Sequence, residues 1–157
     1  MPDSPTPANH KHATVLAFDY GLKQIGVAVG NTLLGTTRSV AVLRARDGIP
    51  DWTALEALVA EWQPDLLVVG DPLNMDGSVS ELATRARKFG RRLHGRLGLP
   101  VCMTDERLSS YAAKEEQRQQ GHRGDYKAVP VDSYAAELIL QTWLRENEDY
   151  RRGPTPA

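Results

Sequence analysis

Two segments of this chain are apolar without the polar alternation of a half-exposed strand. They are Thr14–Asp19 (TVLAFD) and Asp65–Gly70 (DLLVVG), and only the terminal acids interrupt them. A strand of this kind is stable when both faces of its sheet are covered. The sequence therefore predicts an α/β fold with helices on both sides of a sheet.

The remaining pattern supplies the other elements. Further strands are predicted at residues 25–30, 36–43 and 101–104. Helices are predicted from a cap at Asp51, from a Ser78–Glu81 capping box to about Leu97, and over 110–120 and 132–146. The order βββαβαβαα indicates a mixed five-stranded sheet with helices on both faces, and it resembles the RNase H-like fold.

Length and composition indicate one domain. The chain has 157 residues, of which 41% are hydrophobic, and its net charge is −1. We expect disordered tails over 1–13 and 149–157, flanking a domain at 14–148. A lone cysteine, Cys102, and the lack of a membrane-spanning apolar run favour a cytoplasmic protein with no membrane partner.

Carboxylates are placed where three elements begin or end. Asp19 closes the first strand on the face of Val15 and Ala17, and Asp105 and Glu106 close the last strand. Because successive side chains point to opposite faces, only one of that pair should face a shared site. Asp132 begins the last helix, on the stripe that packs against the sheet; taken alone, it reads as a helix cap.

Together these acids predict a metal site at one sheet edge. A cluster of like charges is stable only with cations, and carboxylate oxygens suit Mg²⁺ or Mn²⁺. Two such ions about 4 Å apart could clamp the attacking and leaving oxygens of a phosphoryl displacement.

One helix carries a row of cations. Arg85, Lys88, Arg92 and Arg96 recur at spacings of three and four, which places them along one side. The row could contact phosphates. A solvated helix face is an equally good interpretation.

The motifs, in this order, resemble the YqgF family. They are DYGLKQIGVAVGN, GDPLNMDGS, TDERLSS and KAVPVDSYAAELIL. Members of that family are described as pre-16S rRNA nucleases or as Holliday junction resolvase-like proteins (RuvX). The resemblance implies an RNase H-like fold and assigns the catalytic, metal-binding acids to Asp19, Glu106 and Asp132.

The chain departs from the family pattern at three places. Gln24 stands where Arg is usual, Gly30-Asn31 where Ser-Asp is usual, and Asp71 where Leu is usual. The first two remove a basic group and an acid that we expect to flank the site. Asp71 could be an extra acid, but we favour a turn residue before Pro72.

Basic residues near the acids are candidates for phosphate contact. They are Lys23, Arg107, Arg123 and Lys127, the last two in a loop that we expect to be mobile. The helix residues Arg85, Lys88 and Arg92 extend this set.

The leading hypothesis is a metal-dependent endonuclease for ribosome biogenesis, which matures the 5′ end of precursor 16S rRNA. Its partners would be structured nucleic acid and ribosomal particles. A Holliday junction resolvase acting on branched DNA and a non-catalytic RNA- or ribosome-binding module are alternatives. An actin-like ATP-binding fragment is disfavoured by the chain length. The sequence leaves open a monomer or a homodimer.

Overall fold

The computed structural model describes residues 13–107 and 131–147, without the side chains of 131–133. Strands and helices alternate after an initial meander, as the sequence pattern predicts. The strands are β1 Thr14–Asp19, β2 Gln24–Asn31, β3 Thr36–Arg46, β4 Ile49–Pro50, β5 Leu66–Asp71 and β6 Val101–Asp105. The helices are α1 Trp52–Trp62, α2 Glu81–Leu97 and α3 Val131–Glu146.

One six-stranded sheet organises the described residues, in the order β4-β3-β2-β1-β5-β6. Strand β1 runs antiparallel to β2 and parallel to β5, and β5 runs parallel to β6. The carboxyl ends of β1, β5 and β6 therefore meet at the same edge of the sheet. Each of these three strands ends in an aspartate, namely Asp19, Asp71 and Asp105.

The expected count of five strands is wrong by one, because β3 turns back into the short β4. Residues Ala45 and Arg46 pair with Pro50 and Ile49, and the connecting residues are Asp47 and Gly48. Both connecting residues have positive φ, 51° and 82°. That is the requirement of a two-residue type I′ hairpin, for which Asp-Gly is a favoured sequence.

Helices cover both faces, as predicted. Leu16 and Phe18 of β1 belong to a buried cluster packed by α1 and α2. Val15 and Ala17 belong to a second cluster, packed by α3. Every residue from Val15 to Phe18 is fully buried, which explains why the strand lacks polar alternation.

The helix limits confirm most of the predicted capping. Asp51 accepts a hydrogen bond from the Ala54 amide at 3.2 Å, and Gly98 ends α2 with a φ of 70°. The predicted cap at Ser78 is wrong, because Ser80 accepts from the Ala83 amide at 2.9 Å and begins α2. Ser78 instead donates to Asp76 within the preceding loop.

Several sequence predictions lie outside the described residues. These are the helix at 110–120, the loop that carries Arg123 and Lys127, and both tails except Ala13. Ala13 itself is buried, and its carbonyl accepts a hydrogen bond from the Thr32 amide at 3.1 Å. In the part of the chain that is described, no helix is long and apolar enough to cross a membrane.

Candidate active site

Strand alternation sorts the acids at the sheet edge onto two faces. Asp19 follows Val15 and Ala17 and therefore belongs to the face covered by α3. Asp71 and Asp105 are register partners in the parallel pair β5–β6. Asp71 follows Leu67 and Val69, which belong to the cluster under α1 and α2. Asp71 and Asp105 thus lie on the opposite face from Asp19.

Glu106 lies on the same face as Asp19. A side chain added at Gly70 would collide with the Glu106 carboxylate and with Ile139 of α3. The pKa of Glu106 is raised from 4.5 to about 8. Burial is the largest cause, and the negative charges of Asp19, Asp71 and Asp105 add to it. Glu106 is therefore a partly buried acid, packed on a glycine, within electrostatic reach of Asp19.

Asp71 is neutralised by an arginine that the sequence analysis did not single out. Arg87 of α2 donates to both carboxylate oxygens, from Nε at 3.2 Å to Oδ1 and from Nη2 at 2.8 Å to Oδ2. Asp71 is 7% exposed. The Asp71 carbonyl accepts from the Leu73 amide at 2.8 Å, so the backbone does turn before Pro72, but the side chain serves the ion pair.

Asp105, on the face opposite Asp19, forms an ion pair with Arg107. The Arg107 Nη2 atom lies 2.6 Å from Asp105 Oδ2, and Nη1 donates to the Met75 carbonyl at 3.2 Å. The hydrogen bonds that Arg107 donates to Asp105, together with its positive charge, lower the pKa of Asp105. Of the two adjacent acids, Asp105 is thus the ion-paired one, and Glu106 is the one that packs against Gly70. Arg107 fixes the Asn74–Gly77 loop, and its charge is already matched by Asp105.

Asp132 is the second residue of α3, in the first helical turn. Its side chain lies outside the described residues. The predicted stripe on this helix is buried at Ala136, Leu140 and Leu144, and Ile139 and Trp143 beside it are buried as well. The backbone therefore places Asp132 one turn before Ala136, on the side that packs against the sheet.

The predicted phosphate contacts are distributed over the surface around this edge. Lys23 is exposed in the turn between β1 and β2, next to the carboxyl end of β1. Lys88 and Arg92 are exposed on α2, and Arg85 pairs with Asp47 at 3.1 Å. Arg123 and Lys127 lie outside the described residues.

One departure from the family pattern has no bearing on this edge. Asn31 pairs with Thr14 at the opposite end of the meander from Asp19, which pairs with Gly26. The expectation that an acid flanking the site is missing at Asn31 is therefore wrong. Gln24 begins β2, close to the edge, so the loss of a basic group there remains relevant.

The donor set at the edge suits a hard divalent cation. Asp19 and Glu106 offer carboxylate oxygens only. The raised pKa of Glu106 would be lowered by a nearby positive charge, which favours the ionised carboxylate. Among the side chains that are described, no three or more His, Cys, Asp or Glu residues are grouped so as to hold a metal by themselves. A third ligand would therefore have to come from a side chain that is not described, and Asp132 is one of these.

Two features escaped the sequence analysis, and one had a readable signal. Asp47-Gly48 between strand-like residues is a hairpin signature, and it would have predicted β4. Arg87 had no such signal. It is two residues from Arg85, so it points to a different side of α2 from the cationic row, and its partner is set only by tertiary packing.

Comparison with known proteins places this arrangement in a family. Residues 13–146 match the family model described as "RuvX: Holliday junction resolvase". A protein of Pseudomonas aeruginosa (strain LESB58) named "Putative pre-16S rRNA nuclease" is 58% identical over 135 residues, covering 86% of this chain and 94% of that protein. A protein of Chromohalobacter salexigens with the same name is 57% identical over 140 residues, covering 89% and 95%.

Solved structures support the fold. The RuvC protein of T. thermophilus in complex with Holliday junction substrate aligns with a TM-score of 0.56 at 17% identity, covering 86% of this chain and 97% of that one. A second T. thermophilus RuvC structure aligns with a TM-score of 0.51 at 14% identity, covering the same shares of the two chains. At these identities the likeness concerns the RNase H-like fold alone. The family match over nearly all of the described residues, together with relatives above 50% identity, shows that the chain belongs to the RuvX family.

Proposed function

We propose that this chain is a metal-dependent endonuclease that cleaves a phosphodiester bond in precursor 16S rRNA. The observation that carries the proposal is the convergence of Asp19 and Glu106 on one face at the carboxyl ends of β1 and β6, with the carboxylate of Glu106 packed against Gly70. The names of its close relatives support the class of substrate.

Asp19, Glu106 and Asp132 would hold two Mg²⁺ or Mn²⁺ ions. When bound, such ions supply positive charge at a phosphoryl oxygen and make water a better nucleophile near neutral pH. Asp19 and Glu106 come from strand ends and Asp132 from a helix packed on the same face, so rigid elements position all three. Rigid positioning matters because small displacements of ligands are costly in catalysis.

The neighbouring charged residues would keep that site selective. Arg87 holds Asp71 on the opposite face, and Arg107 holds Asp105 there as well. Both ion pairs keep the carboxylates of Asp71 and Asp105 from competing for cations near Glu106. Lys23, exposed at the same edge, is available for a phosphate of the substrate.

Cleavage assays with adjacent acids test the proposal. Purified protein with Mn²⁺ or Mg²⁺ is offered precursor 16S rRNA and, in parallel, a four-way DNA junction. We expect cleavage of the RNA, lost in Asp19→Asn and in Glu106→Gln but retained in Asp105→Asn, the matched control on the other face. Retained cleavage in Asp19→Asn would overturn the mechanism.

The family description favours a second candidate, resolution of a four-way DNA junction. The same acids would serve it, because phosphodiester hydrolysis makes the same demands in RNA and DNA. Preferential cleavage of the junction in the parallel assay would replace the RNA substrate. Binding of RNA without cleavage of either substrate would instead identify a binding module.

A further inference from the structure

A small cavity lies on the α2 face of the sheet, the face opposite Asp19 and Glu106. Its volume is about 150 Å³. That is smaller than the cavities that enclose drug-sized ligands, roughly 300–1,000 Å³, so it suits a single small group. The lining includes the ring of Tyr20, the turn residues Asp47 and Gly48, and three cations, Arg85, Lys88 and Arg92.

The cavity is preformed by a close contact between Tyr20 and the hairpin. The Tyr20 hydroxyl donates to the Gly48 carbonyl at 3.0 Å and is buried. A side chain at Gly48 would collide with that hydroxyl, and the φ of 82° also requires glycine. The Tyr20 ring stacks against Phe89 with centroids 5.2 Å apart. These contacts fix the floor before any ligand arrives.

The charge of the lining is positive. Among the described residues, Asp47 is the one acid in the lining, and Arg85 neutralises it with hydrogen bonds of 3.1 and 3.4 Å to its two carboxylate oxygens. Lys88 and Arg92 form no ion pair within the described part of the chain. Two uncompensated cations therefore face a polar, preformed cavity.

The position of the cavity relates it to the acids. Tyr20 directly follows Asp19, and consecutive side chains leave a strand end on opposite faces. The cavity and the Asp19–Glu106 pair thus lie on two sides of one sheet edge. A nucleic-acid strand that crosses this edge would bring one phosphate to the acids and another to the cavity.

We propose that this cavity is a phosphate subsite, in which Lys88 and Arg92 bind one backbone phosphate of the nucleic-acid substrate next to the scissile one. The inference rests on the proposed function and adds where the substrate is held. Lysine and arginine contacts to phosphates position a strand without reading its sequence. The subsite would therefore set the register of cleavage rather than base preference.

Salt-dependent binding tests the subsite independently of cleavage. Binding of a fluorescent precursor 16S rRNA fragment to Asp19→Asn protein is measured in EDTA over a range of KCl concentrations. We expect Lys88→Gln/Arg92→Gln, added to this background, to weaken binding about tenfold and to reduce the slope of log K against log[salt] by roughly 0.7 to 1, as the loss of one phosphate contact requires.

The matched control is Arg91→Gln/Arg145→Gln, which removes the same charge at two exposed arginines outside the cavity. A general effect of charge would change both double variants equally, and that outcome would overturn the subsite. Failure of the wild type to cleave RNA, with the salt effect confined to Lys88 and Arg92, would refute the proposed catalysis and leave the subsite supported. Thermal unfolding of both variants checks that the fold is retained.

Discussion

Arg87 of α2 holds the carboxylate of Asp71 with two-pronged geometry, 2.8 Å from Nη2 to Oδ2, at the end of a buried strand. The YqgF pattern has Leu at this position, so in this chain a charged pair stands where that pattern has an apolar side chain. The pair keeps Asp71 on the α2 face, away from Asp19. It therefore separates a structural acid from the candidate catalytic acids, although Asp71 immediately follows the glycine on which Glu106 packs.

Arg87→Ala should destabilise the protein, because it leaves a buried carboxylate without a partner. Arg87 is partly exposed, so water moderates the effect, and we expect a measurable decrease in the free energy of unfolding. Asp71→Leu should cost less than about 1 kcal/mol, since Arg87 can turn to solvent. Urea denaturation measures both, and an equal cost for the two variants would contradict this account of the pair.

Glu106→Gln should stabilise the metal-free protein at pH 8 and not at pH 4. The pKa of Glu106 rises from 4.5 to about 8 on folding, so the unfolded state releases its proton first. Stability should therefore fall as the pH rises from 4.5 towards 8 and level off above that range. The loss is on the order of a few kcal/mol, at about 1.4 kcal/mol per pKa unit.

Thermal unfolding in EDTA at several pH values follows this effect. The wild type and Glu106→Gln should converge at acidic pH and diverge towards pH 8. Parallel curves over the whole range would show that Glu106 ionises normally in the folded state. Asp105→Asn is the control for removing a nearby negative charge.

Gly70→Ala should reduce cleavage about a hundredfold, because the added methyl group displaces the Glu106 carboxylate and contacts Ile139. Gly95→Ala provides the control, since no atom lies within 4 Å of a side chain added there. Gly95 is inside α2, so that variant should gain about 0.5–1 kcal/mol of stability with unchanged activity. Wild-type cleavage by Gly70→Ala would show that the position of Glu106 is not critical.

Divalent cations should raise the melting temperature of the wild type by several degrees at pH 8. Binding to the folded state at a hundredfold excess over Kd contributes about 2.7 kcal/mol, and each kcal/mol shifts the melting temperature by roughly 2–4 °C in a chain of this size. Asp19→Asn and Glu106→Gln should lose most of that shift, whereas Asp105→Asn should keep it. Equal shifts in all four proteins would indicate binding elsewhere.

The sequence predicted the sheet core well because burial on both faces leaves a direct trace in composition. The uninterrupted apolar segment Val15–Phe18 indicates a central strand, and all four residues are fully buried. Asp19 was identifiable for the same reason, since one acid interrupted that pattern. The alternation rule also required Asp105 and Glu106 to separate, but only the family resemblance indicated which of them faced Asp19.

Other features depended on contacts that are distant in the sequence. The partner of Asp71 is 16 residues away on a helix, and no periodicity reveals it. The cap of α2 was placed at Ser78 rather than Ser80 because both serines precede the helix, and local loop bonds to Asp76 decided between them. The cavity beside Tyr20 required the hairpin at Asp47-Gly48, which the five-strand prediction omitted.

The register of the parallel pair β5–β6 has a consequence for how this family can change. Gly70 and Thr104 lie on one face of the sheet, and Asp71 and Asp105 lie on the other. Substitutions leave that assignment intact, whereas insertion or deletion of a single residue in β6 would exchange Asp105 and Glu106 across the sheet. The length of β6 therefore determines which acid faces Asp19 as much as the identity of its side chains does. Only insertions or deletions of two residues would preserve this assignment.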